Sequence, residues 1–391
     1  MTSVAPEIGT GVNLLRVEGV AGVPADQWNP LARRGFHLHG WFAGAERCGW
    51  RPRHVGVAGP DGLCAVVPAW LIACGAAHDL HDRWLGPLGG IASAAGLGLR
   101  PILSVQSPFA QCSEPLAEPG ALPAALLHRV FGALEAEAEH AGARAVAWPF
   151  VDASRADLIG VARERGYGVF YAGVTARLRV EWPSFDDYVA SRSKNVRRTI
   201  RADLRAFQGA ALRTAAASDF RREAPGMDTL YRDDFRRRNG RGAPTPADLF
   251  ERLAAPTYPA CLALLATERE RLVGMSLNVW TPRVLDGTFA AFSPEHAGGP
   301  AYYNDFCYEP VRLACRRGIA MIDLGASALY AKVLRGALLH RRMVLIRGTS
   351  PVAHRALSAL GRLAAKRTAA KERVALGALG GSRSFAVEPD A

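Results

Sequence analysis

Apolar positions along this chain follow two rhythms. Short runs are alternating or continuous, and longer ones recur every three to four residues, so the pattern predicts an α/β protein. After a first strand over Val12–Val17 come the aromatic anchors Phe36, Trp41, Phe42 and Trp50. His54–Ala58 and Leu63–Ile72 flank Gly59-Pro60-Asp61-Gly62, a turn sequence that predicts a hairpin. Gly86–Gly98 is rich in Gly and Ala and reads as a loop, followed by the extended run Pro101–Phe109. Ala121–Ala141 predicts a long helix ended by Gly142, and Ala143–Phe150 an apolar strand of the buried type. A short helix over Ala156–Arg165, capped by Gly166, leads to a strand over Val169–Val180.

The second half repeats this order. Ser184-Phe185-Asp186-Asp187 has the form of a capping box and opens a helix that runs into Ser191–Arg205. At about 100° per residue, Lys194, Arg197, Arg198, Arg201 and Arg205 share one stripe, with Val196, Ile200, Leu204 and Phe207 opposite. A helical stretch over Phe220–Leu253, broken at Asn239–Pro246, precedes a hairpin of Cys261–Thr267 and Leu272–Val279. Next come a strand over Val284–Phe292, the loop Ser293–Tyr302, and a helix over Asn304–Arg317 ended by Gly318. A buried strand (Ile319–Leu324), a short helix (Leu329–Gly336) and a strand (Arg342–Arg347) close the unit, and His354–Gly377 is a basic amphipathic helix. The two halves therefore predict α/β units of one topology, each a mixed sheet flanked by helices. The boundaries expected are 1–183, connecting helices over 184–210, 211–350, and a tail over 351–391.

Composition narrows the class of partner. A chain of 391 residues with 49% hydrophobic and 21% charged residues is globular and long enough for two cores. The formal charge of +12 favours anionic partners, and a stripe of cations on one helix suits the same chemistry. No apolar run is long enough to span a bilayer and no signal sequence is visible, so a cytoplasmic protein is expected. The seven cysteines include no CxxC pair, and neither His37/His39 nor His78/His81, with Asp79 and Asp82 beside it, has the HExxH context. No metal is expected. GxSxG, Walker and dinucleotide motifs are all missing, which disfavours those reaction classes.

Three stretches carry a family resemblance: Pro101–Phe109, which ends in Pro-Phe; Ser184–Gly209; and Phe306–Gly336, which ends GASALYAKVLRG. Together with the tandem order, they resemble the acyltransferase-fold proteins labelled peptidoglycan biosynthesis/recognition. These are related to Fem-type peptidyltransferases and to GNAT-type N-acetyltransferases. The resemblance implies two tandem GNAT/Fem-like units and an N-acyltransferase that forms an amide on a small-molecule or peptide amine. Its donor would be an anionic acyl carrier, either acyl-CoA such as acetyl-CoA or, as in Fem-type relatives, an aminoacyl-tRNA. It also implies a carrier lying between splayed strands with its pyrophosphate at the next helix start. Here that place is Pro294–Asn304, where Gly298 and Gly299 allow close approach and Tyr303, Asn304 and Glu309 border it. Lys194, Arg197, Arg198 and Arg201 are expected to grip the carrier, possible tRNA included.

Tyr330 occupies the position of the tyrosine that protonates the leaving group in such enzymes, and Lys332 and Arg335 match the family's Lys-x-x-Arg-Gly ending. Two positions depart from the pattern: Ala331 stands where relatives often carry histidine, and Asn304 where they often carry a carboxylate. Asp305, Glu309 and Asp323 are the candidate replacement bases. Those departures also fit a second class of function, a non-catalytic module that binds an anionic glycan, nucleotide or RNA. In the tail, Arg355, Arg362, Lys366, Arg367, Lys371 and Arg373 accompany Leu357, Leu360, Leu363 and Val374. That composition fits contact with a membrane surface as well as packing on the protein's own domain.

Overall fold

A computed structural model describes residues 12–73, 84–94, 99–118 and 120–377. The strands it describes are β1 (Asn13–Val17), β2 (Arg51–Pro52), β3 (His54–Gly59), β4 (Gly62–Val67), β5 (Ala69–Ile72), β6 (Ile102–Val105), β7 (Leu116–Ala117) and β8 (Ala145–Asp152). They continue with β9 (Gly168–Arg179), β10 (Leu212–Ala217), β11 (Cys261–Glu268), β12 (Arg271–Trp280), β13 (Val284–Phe292), β14 (Met321–Gly325) and β15 (Leu338–Gly348). A small sheet has the order β1-β3-β4-β7, and one long sheet runs β10-β11-β12-β13-β14-β9-β15-β8-β6-β5-β2.

The centre of that long sheet explains how two similar halves become one molecule. β9, the last strand of the first half, pairs with β14 of the second half, and β15, the last strand of the second, inserts between β9 and β8. Among the described residues each half has one parallel pair in an otherwise antiparallel sheet: β6 with β8, and β13 with β14. β15 can sit at the centre because Val344, Leu345 and Ile346 are buried in succession, the run expected of a strand covered on both faces.

Most expected elements appear within a few residues of their predicted bounds. The differences have local causes. Pro68, which has no N–H for a ladder, separates β4 from β5 and sends them to different sheets. The stretch read as a Gly-Ala loop holds a helix at Pro87–Ala94. β10 went unassigned in the sequence because LRTAAA has too few large apolar side chains to show a period. The helix expected from Asn304 starts at Pro300 and passes through a π-helical stretch, Asn304–Tyr308, before Glu309–Arg317.

The connecting helix Lys194–Gly209 forms as its pattern requires. Ser193 caps it, accepting from the Val196 amide at 3.5 Å, and Val196, Ile200 and Leu204 pack into a core that includes β9 residues Val174 and Leu178 and the aromatic Tyr308. The tail helix Pro351–Gly377 lies along β9 and β15, burying Leu357, Gly361 and Ala364. Glu372 fastens it, accepting from the Tyr171 hydroxyl and, at 2.8 Å, from the Val174 amide. No helix among the described residues is long and apolar enough to cross a membrane.

Candidate active site between parting strands

β13 and β14 run side by side for only three residue pairs, Val284–Met321, Leu285–Ile322 and Asp286–Asp323. Then they separate. The pairing of β12 with β13 shifts register between Leu277 and Asn278, leaving Thr288 as the extra residue of a bulge, and bulges bend and twist the strand that carries them. Thr288 is held in the new direction by its hydroxyl, which donates to the Phe109 carbonyl at 3.1 Å. On the other wall, β14 ends at Gly325. The buried Lys332 ammonium donates to the Leu324 carbonyl and lies 3.4 Å from that of Gly325, so the strand end is tied down.

A cavity of about 550 Å³ occupies the gap. Gly287–Ala290 form one wall and Leu324–Ala328 the other, with Ala331 beside them. The first half contributes Arg34, Phe36, Phe109 and Gln111, so the site is shared by both halves. Arg237, Arg238 and Arg241 also line it, with Asp234 pairing the first two.

Buried charges lie where the strands begin to part. Arg34 binds Asp286 through Nε at 3.0 Å and through Nη2, and its Nη2 reaches Asp323 at 2.6 Å. One guanidinium thus joins the last paired residues of the two strands. Its neighbour Gly35 donates its N–H to Asp286 at 2.8 Å, and a Cβ there would meet the Val279 backbone at 2.6 Å, so only glycine permits this approach. Arg177 links Asp323 to Asp152, each at 3.2 Å, and Arg342 binds Asp152 at 3.0 Å.

The two carboxylates at the parting are shifted in opposite directions. Burial pushes Asp323 upward, but Arg34, Arg177 and Arg342 outweigh it and hold the group well below the usual carboxylate range. Asp286 is raised, first by complete burial and then by the like charge of Asp323, with Arg34 the cation that opposes this.

The residues singled out from the sequence are dispersed around this centre. Asp323, Gly298 and Tyr303 line the cavity. Gly299 precedes the helix at Pro300, and Asn304 is buried, donating to Thr214 at 2.9 Å and Asp305 at 3.1 Å. Asp305 is raised to about 7 by burial, and Glu309 pairs with Arg312 at 2.6 Å. Arg335 packs on the Tyr303 ring and binds Asp203 at 2.6 Å, the Tyr308 hydroxyl at 2.9 Å and the Ala331 carbonyl at 2.9 Å. Tyr330 is 41% exposed and does not line the cavity.

Nor do Lys194, Arg197, Arg198 or Arg201 line it, because their helix turns its apolar side to the core and its cations outward. Arg197 is further committed to the Arg192 carbonyl at 2.6 Å. Among the described residues no cluster of three or more His, Cys, Asp or Glu is placed to hold a metal, and His78, Asp79, His81 and Asp82 lie outside those residues.

Sequence reasoning passed over Arg34, Asp286 and Tyr302. The signal for Asp286 was present, since a lone carboxylate inside an apolar strand needs a buried partner. Tyr302 lines the cavity, its hydroxyl is buried with no hydrogen-bond partner among the described residues, and burial raises its pKa.

Residues 19–370 match the FemAB-like family model, described as peptidoglycan biosynthesis/recognition. Among solved structures, FemX resembles the chain with a TM-score of 0.57 at 10% identity, covering 85% of this chain and 96% of FemX. A tandem GNAT protein from the clavulanic acid biosynthesis pathway gives 0.51 at 13% identity, over 87% of this chain and 99% of its own. A conserved protein of unknown function from Bacteroides thetaiotaomicron gives 0.50 at 11% identity, over 86% and 100%. No curated protein matches the chain in sequence. These likenesses show the fold: tandem GNAT/Fem-like units in one mixed α/β architecture, as the sequence pattern and resemblance led one to expect.

Proposed function

This chain belongs to the FemAB-like family, and from that premise we propose that it is an N-acyltransferase using the cavity between β13 and β14. An amine attacks the acyl carbon of an activated donor, acyl-CoA or aminoacyl-tRNA. The tetrahedral intermediate then collapses to an amide, the carrier's thiolate or alkoxide leaves, and the proton lost by the amine balances the one gained by the leaving group.

The observation that carries this reading is the parting of the two strands just beyond Asp286 and Asp323. Its volume of about 550 Å³ suits the reactive ends of two substrates. Arg34, Asp286 and Asp323 are positioning residues that fix the separation of the walls, and much of the rate of such a reaction can come from alignment. In this reading Tyr302 takes the role that the sequence resemblance gave to Tyr330. Its burial keeps the phenol protonated, and its hydroxyl, unpaired among the described residues, would turn to donate to the leaving group. Both donors are cytoplasmic metabolites, which suits the location expected from the sequence.

One observation favours a second reading, a binding module without turnover. Both carboxylates that line the cavity, Asp234 and Asp323, are engaged in ion pairs. Incubation with labelled acetyl-CoA and, separately, with charged tRNA in the presence of amine acceptors separates the two. Transfer of label to an amine establishes the enzyme and names the donor. Binding without transfer supports the module, and absence of both removes the carrier from the account.

A further inference from the structure

The tail helix Pro351–Gly377 has a second apolar ridge, opposite the side it buries. Val352, Leu363 and Val374 are 70%, 53% and 81% exposed. Their spacing of eleven residues is close to three helical turns, so on a wheel they fall within about 40° of one another. Ala359 and Ala370 lie on the same line and are also exposed. These three aliphatics stand out among the described residues, where the other large apolar side chains left exposed are Leu15, Tyr258 and Tyr330.

Cations flank the ridge on both sides. Arg355, Arg362, Lys366 and Arg373 fall along one edge and Lys371 along the other, all exposed and without an ion pair or hydrogen bond to any described residue. The sole acidic residue of the helix, Glu372, is spent on Tyr171 and Val174. The outer face therefore carries five unpartnered cations, an aliphatic line and no free carboxylate, over 27 residues, or about 40 Å.

We propose that this face docks the protein on the surface of an anionic lipid bilayer. The helix lies flat, with Val352, Leu363 and Val374 entering the boundary between headgroups and acyl chains and the five cations bound to lipid phosphates. Charge alone would suit RNA equally well. The aliphatic line decides for lipid, because phosphate backbones offer nothing for three exposed aliphatic side chains to bury against. The inner face already packs on β9, β15 and the Trp84–Leu85 segment, so docking requires no unfolding and no release of the helix.

The test is flotation of the full chain with vesicles of pure phosphatidylcholine and with vesicles containing one third phosphatidylglycerol, at 0.1 M and 0.5 M salt. The wild type is expected to float with the anionic vesicles at low salt and to stay in solution with neutral ones. Leu363→Ser with Val374→Ser should lower vesicle binding at least about tenfold, and Arg355→Gln with Arg362→Gln and Lys366→Gln at least about a hundredfold. Unchanged circular dichroism and thermal melts, expected for exposed positions, would show that each variant is folded. Wild type that fails to float, or a folded aliphatic variant that floats like wild type, would overturn the proposal. Equally fatal would be uncharged tRNA that binds the wild type and the aliphatic variant alike while the cation variant loses it, since the face would then read RNA.

Discussion

Arg34→Met asks the structure for its largest single response. Asp286 is fully buried and its only ion-pair partner among the described residues is Arg34; its other contact there is the Gly35 amide at 2.8 Å. Asp323 keeps Arg177 and the Gly325 amide when Arg34 is lost, so the damage concentrates on Asp286. A buried charge stripped of its partner costs about 3–5 kcal/mol. Urea unfolding followed by tryptophan fluorescence should show a loss of that size at pH 7.5.

The sign of the pH dependence follows from Asp286. Its folded pKa, already raised, climbs further without the guanidinium, and a raised group contributes stability below its unfolded value that is lost as pH rises through the folded one. The variant's deficit should therefore shrink toward pH 5. Adding Asp286→Asn removes the stranded charge while keeping an acceptor for Gly35, and should restore about 2 kcal/mol at pH 7.5. A deficit below about 1 kcal/mol, or a double variant no better than Arg34→Met alone, would refute the idea that this ion pair pins the parting strands.

Tyr302→Phe should lower kcat for amide formation by about a hundredfold with little change in KM, measured with whichever donor proves active, while Tyr330→Phe stays near wild type. Lys332→Met leaves the Leu324 and Gly325 carbonyls without their donor and should cost about 2 kcal/mol in thermal or urea unfolding; a change in KM at unchanged stability would instead assign Lys332 to the substrate. Asp305, raised to about 7 by burial, stabilises the fold at low pH and loses that contribution as pH rises from about 4 to about 7. Asp305→Asn should accordingly be on the order of 3 kcal/mol more favourable at pH 8 than at pH 4, read from unfolding at the two pH values. Arg198→Glu with Arg201→Glu, exposed and outside the cavity lining, should weaken tRNA binding in a filter assay and leave acetyl-CoA binding alone, which isolates any carrier contact on that helix.

The parts of the fold written in local pattern were legible. The buried strand Ala143–Phe150, the glycine stop at Gly318, the Ser184 cap and the amphipathic connecting helix each follow from residues within a few positions of one another. What could not be read is long-range pairing. Nothing within β15 says that it leaves its own half to sit between β9 and β8, and nothing near Arg34 says that its partners are Asp286 and Asp323, more than 250 residues away.

The candidate site shows the same division. Its strand-and-helix frame was placed from order and resemblance, and Asp323 with it. Tyr302 and Tyr303 are neighbours in sequence, but only the packing leaves one of them with a buried hydroxyl that no described residue pairs. The basic stripe was correctly patterned as a helix face, yet whether it turns toward the cavity depended on where the core lay.

Hydrogen–deuterium exchange, measured with and without each donor, tests the central claim most directly. Acetyl-CoA or aminoacyl-tRNA bound between the parting strands should slow exchange in peptides covering residues 286–292 and 323–328, the two walls of the cavity, relative to the free protein. Protection confined to 194–209 or 351–377, with both walls unchanged, would place the carrier elsewhere and contradict the account.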